Sequence, residues 1–303
     1  MAFSTLEKIN MSVETDVDSF IRNSEMDFDK SVSSLVDSVT ADNDCDIVLL
    51  AGPSSSGKTT TASMIAKKVA KKGKNAYIVS LDDYYHNVND IPLTESGLKD
   101  FENVSALDIG LIHESFNDLI EKREAEIPKF DFMTGMRSAK TEKVRLGKDD
   151  MIIVEGIHAL NPIITRGLDE GHINKVYISV STRVTDSGKV LFSKRNLRLV
   201  RRMIRDYHYR NTSVEKTLSQ WPEVLKGEDK YIFPYEKNAR FRIDSFHRYE
   251  PCLFRNEALE LLNTVDENSE FYPTAYELKK DFEKLFPINM SKLPENSLLR
   301  EFV

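Results

Sequence analysis

The sequence predicts an α/β fold in which helices flank a parallel β-sheet. Short apolar runs typical of buried strands occur at residues 46–51, 76–80, 151–156 and 175–180. Segments with the helical spacing of apolar residues lie between them, at 59–70 and 107–122. Strands that alternate with helices along a chain usually form one parallel sheet with helices on both faces, and we expect that arrangement here.

A glycine-rich loop lies between the first predicted strand and the first predicted helix. Residues 52–59 read Gly-Pro-Ser-Ser-Ser-Gly-Lys-Thr and fit G-x-x-x-x-G-K-[ST], the phosphate-binding P-loop. Gly52 and Gly57 permit the backbone angles that let several N–H groups point at one anion. Lys58 can reach the outer phosphates of a nucleotide, and the Thr59 hydroxyl can bind a magnesium ion. Because strand, loop and helix follow in the expected order, the sheet is predicted to be that of a P-loop NTPase.

Length and composition limit the kinds of protein that this chain can be. Its 303 residues suit one large α/β domain with additions or two small domains, and 40% hydrophobic residues can fill a sizeable core. The net charge of −7 argues against a nucleic-acid-binding protein. No apolar run approaches a membrane span of about 20 residues, and no signal peptide is visible. Cys45 and Cys252 do not have the spacing of metal ligands, and so few cysteines indicate a reduced, cytoplasmic protein. The sequence leaves open whether the protein forms a homo-oligomer.

The chain divides into three predicted parts. Residues 1–43 are acidic with weak helical periodicity, so we expect one or two helices on the core, with a partner-binding arm as the alternative. Residues 44–245 form the predicted P-loop core, in which the Arg-rich stretch at about 188–230 is expected to be a helical lid. Residues 246–303 are predicted to be a helical extension, with two helices over 250–286 and then a Pro-marked tail.

Two acidic positions lie just beyond the carboxyl ends of predicted strands, where open α/β sheets bind their ligands. Asp82 follows the strand at 76–80, and a carboxylate there can orient or deprotonate an attacking hydroxyl. Glu155 lies at the end of the strand at 151–156, where P-loop proteins place a carboxylate that organises magnesium. The alternative for Asp82 is that it caps a helix or faces solvent, and the alternative for Glu155 is that it caps a helix.

An arginine run follows the last predicted strand. Arg198, Arg201, Arg202 and Arg205 recur at three- and four-residue spacing and therefore share one helix face, and Arg210 follows them. Guanidinium groups stabilise the charge that spreads over oxygens during phosphoryl transfer. Because the run lies downstream of a phosphate site in an acidic chain, we favour phosphate over a solvated face as its partner.

Together these segments resemble the uridine kinase and phosphoribulokinase family of P-loop kinases. The similar segments are residues 52–59, 81–85, 128–132, 154–156 and 201–206. A bacterial uridine kinase-like group, which often carries an N-terminal domain similar to one in threonyl-tRNA synthetase, is also similar at residues 129–135, 227–234 and 293–302. We expect this protein to differ from that group in lacking the extra domain.

The resemblance implies a role for each matching residue. Asp82 would be the base or orienting carboxylate for the 5′-hydroxyl of a nucleoside, and Thr59 and Glu155, with Asp82 nearby, would organise Mg²⁺. The implied catalytic residues are Lys58, Asp82, Arg201 and Arg205. The implied ATP-binding residues are Gly52, Ser54, Ser55, Ser56, Gly57, Lys58, Thr59, Thr60 and Arg210. The implied substrate-binding residues are Tyr85, Glu102, Phe130, Phe132 and Arg202.

Two positions depart from the uridine kinase pattern. Gly135 stands where uridine kinases have a histidine that contacts the base, and Thr212 stands where they have an arginine near the sugar. Both changes affect nucleoside recognition and leave the phosphate-binding residues intact. Phosphoryl transfer is therefore better supported than uridine specificity.

The leading hypothesis is ATP- and Mg²⁺-dependent phosphorylation of the 5′-hydroxyl of a nucleoside, uridine or cytidine. One alternative is a kinase for a sugar, a sugar phosphate or a pantothenate-like acid. Glu102 and Asp108 make the predicted acceptor side acidic, which favours a neutral polyol over a sugar phosphate. The other alternative is a nucleotide-binding regulatory module with little catalysis.

Overall fold

The computed structural model of the protein describes residues 3–42 and 45–303. The strands in these ranges are β1 Phe3–Thr5, β2 Ile47–Ala51, β3 Ala76–Ser80, β4 Glu124–Ile127, β5 Phe130–Asp131, β6 Met136–Arg137, β7 Glu142–Arg145, β8 Met151–Glu155, β9 Ile173–Ser179, β10 Arg183–Asp186, β11 Lys189–Phe192 and β12 Phe241–Asp244. The helices are α1 Leu6–Ala41, α2 Lys58–Ala70, α3 Ile109–Glu121, α4 Lys194–Arg210, α5 Val214–Gly227, α6 Glu250–Leu262 and α7 Tyr272–Glu283. The predicted boundary between residues 43 and 44 lies outside the described residues.

Five strands form one parallel sheet in the order β12–β9–β2–β8–β3. The central strand β2 is buried along its whole length, as its continuous apolar run predicts. The register places Leu50 of β2 and Ser80 of β3 on either side of Glu155 at the end of β8. The predicted α/β fold with a helix-flanked parallel sheet is confirmed, and the carboxyl ends of these three strands form one edge.

Helices cover both faces of the sheet, and each face has its own apolar core. One core joins the sheet to α1, α2, α4, α6 and α7, and α1 packs directly against the P-loop helix α2. The other core joins the opposite face to α3 and to the segments after β3. In the two described ranges, no helix combines the length and the apolar character that a bilayer crossing requires.

The N-terminal segment is helical, with a kink and a short strand that its pattern does not indicate. Helix α1 is kinked at Asp16, whose carboxylate accepts a hydrogen bond from the N–H of Ser19 at 3.0 Å. A side-chain acceptor at that spacing is a helix N-cap, so Asp16 begins a second helical run. Ahead of α1, β1 pairs with β10 in a small sheet that also contains β11.

The stretch predicted as a helical lid begins with a strand. Strand β11 pairs antiparallel with β10 over residues 189–192, and α4 starts only at Lys194. The Val-Leu-Phe sequence of β11 favours a strand. Ser193 then caps α4, because its side chain accepts a hydrogen bond from the N–H of Asn196 at 3.1 Å. The prediction of a helix at the start of this stretch is therefore wrong. For most of the rest of the stretch, α4 and α5 confirm the predicted helical structure.

The Pro-marked tail is packed into the core. The side chains of Leu298, Leu299 and Phe302 have no exposed surface. Ser297 donates a hydrogen bond to Glu25 of α1 at 2.6 Å, which fastens the tail to the N-terminal helix. This packing brings the end of the described chain back to the P-loop.

Candidate active site

Two glycines hold the P-loop in an anion-binding shape. A Cβ on Gly52 would lie 2.1 Å from the carbonyl oxygen of Ile178 in β9, so a larger residue does not fit there. Gly57 has a φ of +86°, in the left-handed region that favours glycine, and it directly precedes α2. The N–H groups in the first turn of α2 lack acceptors within the helix and can bind an anion.

Buried arginines of α4 support the P-loop from behind. Arg198 donates to the carbonyl oxygen of Ser54 at 3.0 Å and forms a buried ion pair with Glu228. Arg201 donates to the carbonyl oxygen of Ser55 at 3.4 Å. The predicted shared face of α4 is thus directed at the P-loop, but these two guanidinium groups bind its backbone carbonyls.

Arg201 does not reach the phosphate site, contrary to the catalytic role predicted for it. Its guanidinium donates to both carboxylate oxygens of Glu250, at 2.6 and 2.7 Å, and twice to Ser245. With the bond to Ser55, all five donors of this buried side chain have protein acceptors. Glu250 and Ser245 hold the guanidinium inside the protein, and we propose that Arg201 stabilises the P-loop backbone and does not act on the phosphoryl group.

Arg202, Arg205 and Arg210 do line the cavity in front of the P-loop. Their guanidinium groups surround the buried carboxylate of Asp206, at N–O distances of 3.3, 2.7 and 3.5 Å respectively. Arg202 also donates to the Ser54 hydroxyl at 3.2 Å. Three cations around one carboxylate leave a net positive charge that suits an oligophosphate.

The two adjacent aspartates after β3 have different partners. Asp83 is bound to the β5–β6 hairpin, where its carboxylate accepts the N–H of Phe130 at 3.1 Å. Asp82 instead lines the same cavity as Lys58. Burial raises the pKa of the Asp82 carboxyl, and the nearby charge of Lys58 opposes that rise. Asp82 is therefore the carboxylate of this pair that faces the P-loop cavity.

Glu155 lies between the P-loop and β3. One oxygen of its carboxylate accepts hydrogen bonds from the hydroxyls of Ser80, at 2.8 Å, and Thr59, at 3.3 Å. Burial, followed by the charge of Asp82, raises the pKa of Glu155 to about 7. Two buried carboxyl groups near each other disfavour ionisation of both, and a cation beside them would relieve that cost.

The oxygens of Thr59, Glu155 and Asp82 fit a magnesium ion. Mg²⁺ takes oxygen ligands and usually binds one or two carboxylates together with substrate phosphates and several waters. Thr59 and Glu155 are already in contact, and Asp82 lines the same cavity. A magnesium ion at these oxygens would share its remaining ligands with a nucleotide on the P-loop.

Aromatic side chains line the other half of the cavity, which has a volume of about 730 Å³. Tyr85 packs edge-on against Phe101 at 5.5 Å between ring centres, and its hydroxyl donates to the Phe101 carbonyl at 3.0 Å. Phe132 is exposed at the rim of the cavity. Phe130 lies buried behind both rings, in edge contact with Tyr85 and Phe132, so it supports the cavity wall.

Glu102 lies under the end of α5. A Cβ on Gly227 would come within 2.4 Å of the Cβ of Glu102, so the helix end closes directly over this residue. Burial, followed by the charge of Glu228, raises the pKa of Glu102 to about 7. Asp108 adds less acidity than predicted because it caps α3 and pairs with Arg137 at 3.1 Å.

Comparison with known sequences identifies the family. The sequence model of the Phosphoribulokinase / Uridine kinase family matches residues 47–250, more than half of the chain. The chain belongs to this family. It is therefore a phosphotransferase with a hydroxyl group as acceptor, and ATP is the phosphoryl donor that the kinase family implies.

Uridine kinases are among the similar proteins. That of Ureaplasma parvum serovar 3 is 26% identical over 198 residues, which are 65% of this chain and 86% of the relative. That of Bacillus pumilus is 30% identical over 194 residues, which are 64% of this chain and 83% of the relative. A solved structure of a possible uridine kinase from Bacillus stearothermophilus covers 71% of this chain and 98% of its own, with 19% identity and a TM-score of 0.48.

The structure adds two acidic residues to which neither the sequence pattern nor the resemblance assigns a role. Asp206 gathers the three cavity arginines, although it lies within a segment that resembles the family. Glu301 lines the cavity and accepts hydrogen bonds from the hydroxyl and the N–H of Thr60, at 2.7 and 3.3 Å. The only signal for Glu301 was the likeness of residues 293–302 to the uridine kinase-like group.

Proposed function

We propose that the protein is an ATP- and Mg²⁺-dependent kinase for the 5′-hydroxyl of a pyrimidine nucleoside, uridine or cytidine. The observation that carries the proposal is that Asp82 lines one cavity together with Lys58 and the arginines around Asp206. Phosphoryl transfer depends on positioning and charge neutralisation, and these groups supply a base, a phosphate site and cations. The uridine kinases among its relatives support a nucleoside acceptor.

ATP would bind with its phosphates against the P-loop. The backbone N–H groups of residues 54–60 would donate to the phosphate oxygens. The Lys58 ammonium, which donates to the Pro53 carbonyl at 3.2 Å, would turn to the outer phosphates. Arg205 and Arg210 would neutralise the charge on the transferred group.

Asp82 would act on the acceptor. Its carboxylate would orient the 5′-hydroxyl and accept its proton while the hydroxyl oxygen bonds to the γ-phosphorus and ADP leaves. Magnesium, when bound at Thr59 and Glu155, supplies positive charge between the phosphates. Closure of α4 and α5 over the cavity would exclude water, which competes as an acceptor.

The nucleoside would lie between the aromatic wall and Glu102. The rings of Tyr85 and Phe132 offer apolar surface to a base, and the Glu102 carboxylate could accept hydrogen bonds from two ribose hydroxyls. Arg202 lines the same cavity and would contact the sugar side of the substrate. This arrangement suits a neutral polyol better than a phosphorylated sugar.

Nucleoside use should depend on pH through Glu102. Its pKa is raised to about 7, so the carboxyl is largely protonated below that pH and ionised above it. Because the ionised form accepts hydroxyl donors better, we expect kcat/KM for the nucleoside to rise as pH increases through about 7. Profiles of kcat/KM for the native protein and Glu102→Gln, measured from about pH 6 to 8 at saturating ATP, test this. Identical profiles would exclude Glu102 as the titrating group, whatever Asp82 and Glu155 contribute.

A second candidate function is a kinase for another small neutral polyol. The surroundings of Gly135 favour this candidate. Gly135 has a φ of +69°, and a Cβ there would lie 3.0 Å from Val88, so the turn is built for glycine. Thr212 donates to the Arg210 carbonyl at 3.2 Å. Neither Gly135 nor Thr212 is among the residues that line the cavity. Recognition of the base would therefore rest on other residues than in the uridine kinase pattern.

The test is ATP consumption with Mg²⁺ against a panel of acceptors, with Lys58→Ala as the blank. The panel contains uridine, cytidine, purine nucleosides, ribose, pantothenate and ribulose 5-phosphate. Products are identified by mass, because this separates phosphoryl transfer from ATP hydrolysis. We expect uridine 5′-phosphate or cytidine 5′-phosphate from the native protein only.

The other outcomes separate the alternatives. Transfer to ribose but to no nucleoside would support the second candidate. Transfer to pantothenate, which carries a carboxylate, would contradict the preference for a neutral acceptor. A higher kcat/KM for ribulose 5-phosphate than for nucleosides would contradict the preference for a neutral acceptor. ATP binding without transfer to any acceptor would favour the regulatory module, and in that case the proposed nucleoside kinase activity is wrong.

A further inference from the structure

The tail segment, defined here as residues 294–303, lies directly on the P-loop. A Cβ on Gly57 would come within 2.5 Å of Leu298, so this leucine touches the loop backbone. Glu301 accepts hydrogen bonds from the Thr60 hydroxyl at 2.7 Å and from the Thr60 N–H at 3.3 Å. The tail therefore places a carboxylate on donors at the start of the P-loop helix.

The tail segment is anchored on both sides of Glu301. Phe302 is fully buried, with the Arg201 guanidinium 5.0 Å from its ring centre. The Tyr209 hydroxyl at the end of α4 donates to the carbonyl of Val303 at 2.6 Å. On the other side, Ser297 is bonded to Glu25 of α1. The contact between Glu301 and Thr60 is thus held by the core and by α4, and not by one side chain alone.

The Thr60 donors are among those that a P-loop offers to a nucleotide. The first-turn N–H groups of the helix after the loop bind phosphate oxygens, and they bind one acceptor well at a time. Glu301 is also close enough to Glu155 to raise the pKa of that carboxyl. A nucleotide would bring further negative charge to the same place, so carboxylate and phosphate oppose each other sterically and electrostatically.

We propose that Glu301 is a built-in competitor of the nucleotide, which occupies the Thr60 donors in the free protein and lowers nucleotide affinity. The proposal rests on the proposed ATP site. Nucleotide binding displaces the carboxylate, and because the tail also contacts Arg201 and Tyr209, the displacement loosens a contact between the P-loop and α4. The tail segment thereby determines how much nucleotide is needed to fill the site.

The test is the dissociation constant for Mg²⁺-ATP, measured calorimetrically without any acceptor. For Glu301→Ala we expect a dissociation constant about tenfold lower than that of the native protein. The nucleotide no longer has to break a hydrogen bond to a charged group, and the free energy of one such bond corresponds to about that ratio of dissociation constants. Glu301→Gln retains an oxygen for Thr60 but loses the charge, so its affinity should lie between the two. Glu295→Ala, which removes an exposed glutamate of the same segment, is the matched control and should bind like the native protein.

The outcomes distinguish this inference from the proposed function. Suppose that the native protein binds Mg²⁺-ATP far more tightly than Lys58→Ala does, and that Glu301→Ala binds it no more tightly than the native protein. This result would overturn the competitor role of Glu301 and leave the proposed ATP site intact. If neither the native protein nor Glu301→Ala bound Mg²⁺-ATP, both the site and the inference would be wrong.

A second measurement follows the tail segment itself. Hydrogen exchange of the backbone amides at residues 298–303 should become faster when the native protein is saturated with Mg²⁺-ATP. In Glu301→Ala the same amides should exchange faster already without nucleotide. Unchanged protection on saturation would show that the nucleotide binds without displacing Glu301, and the proposal would then be wrong.

Discussion

Replacement of Asp82 by Asn is expected to reduce kcat by about 10²- to 10⁴-fold, the range associated with loss of a general base. Asp82 lines the same cavity as Lys58, whose positive charge favours the ionised carboxylate, whereas an amide cannot accept the hydroxyl proton. The Kd for Mg²⁺-ATP, measured in the same buffer, should change by less than about threefold, because the P-loop donors and the magnesium-binding oxygens of Thr59 and Glu155 remain.

Asp83→Asn is the matched control for this prediction. It changes the same functional group one position along the chain, but Asp83 binds the N–H of Phe130 and Lys129, and its carboxylate does not line the cavity. Its kcat should stay within a few-fold of that of the native protein. Comparable turnover by the Asp82 and Asp83 variants would remove Asp82 from the catalytic role.

The second large effect is expected on stability, from Arg201→Ala. This change leaves the buried carboxylate of Glu250 without its partner, and breaking a buried ion pair in this way costs about 3–5 kcal/mol. It also removes the donor to the Ser55 carbonyl in the P-loop. The free energy of unfolding from urea titration measures the loss, and Glu250→Ala should lower it similarly.

Arg205→Ala provides the contrast, since Arg205 lines the cavity. Its partner Asp206 keeps Arg202 and Arg210, so the loss of stability should be clearly smaller than for Arg201→Ala. Its kcat should fall about tenfold or more, because a cation that faces the transferred phosphoryl group is lost. If the unfolding midpoint of Arg201→Ala lay at the same urea concentration as that of the native protein while its kcat fell, Arg201 would be a catalytic residue.

The sheet was largely predictable because its strands are local apolar runs. The runs that begin near residues 46, 76, 151 and 175 all became strands of the parallel sheet, because short continuous apolar runs are typical of such strands. Of these four strands, only β3, at the edge of the sheet, is largely not buried. Strand β11 was missed because its Val-Leu-Phe run, although it favours a strand, is short and directly precedes an arginine-rich helix. It becomes a strand by pairing with β10, and sequence spacing does not reveal that partner.

The small strand β1 has the same explanation. A strand of three residues is too short to show a periodicity. Its partner strand β10 is far away in the sequence, since Phe3 pairs with Arg183. The buried tail is a related case, because Leu298 and Phe302 look like ordinary end-of-chain residues until their contacts with the P-loop and Arg201 are known.

The phosphate site is predictable from the sequence alone, because the P-loop is eight contiguous residues whose own backbone would bind the phosphates. The contacts in the folded chain were needed to show that Asp83 binds a hairpin and to distinguish the arginines of one helix face that line the cavity from those that do not. Arg201 is withdrawn by Glu250, 49 positions away, and Glu301 reaches Thr60 across 241 positions. Residues of the same type and spacing have the same local pattern, and they acquire different functions through partners that folding brings from distant parts of the chain.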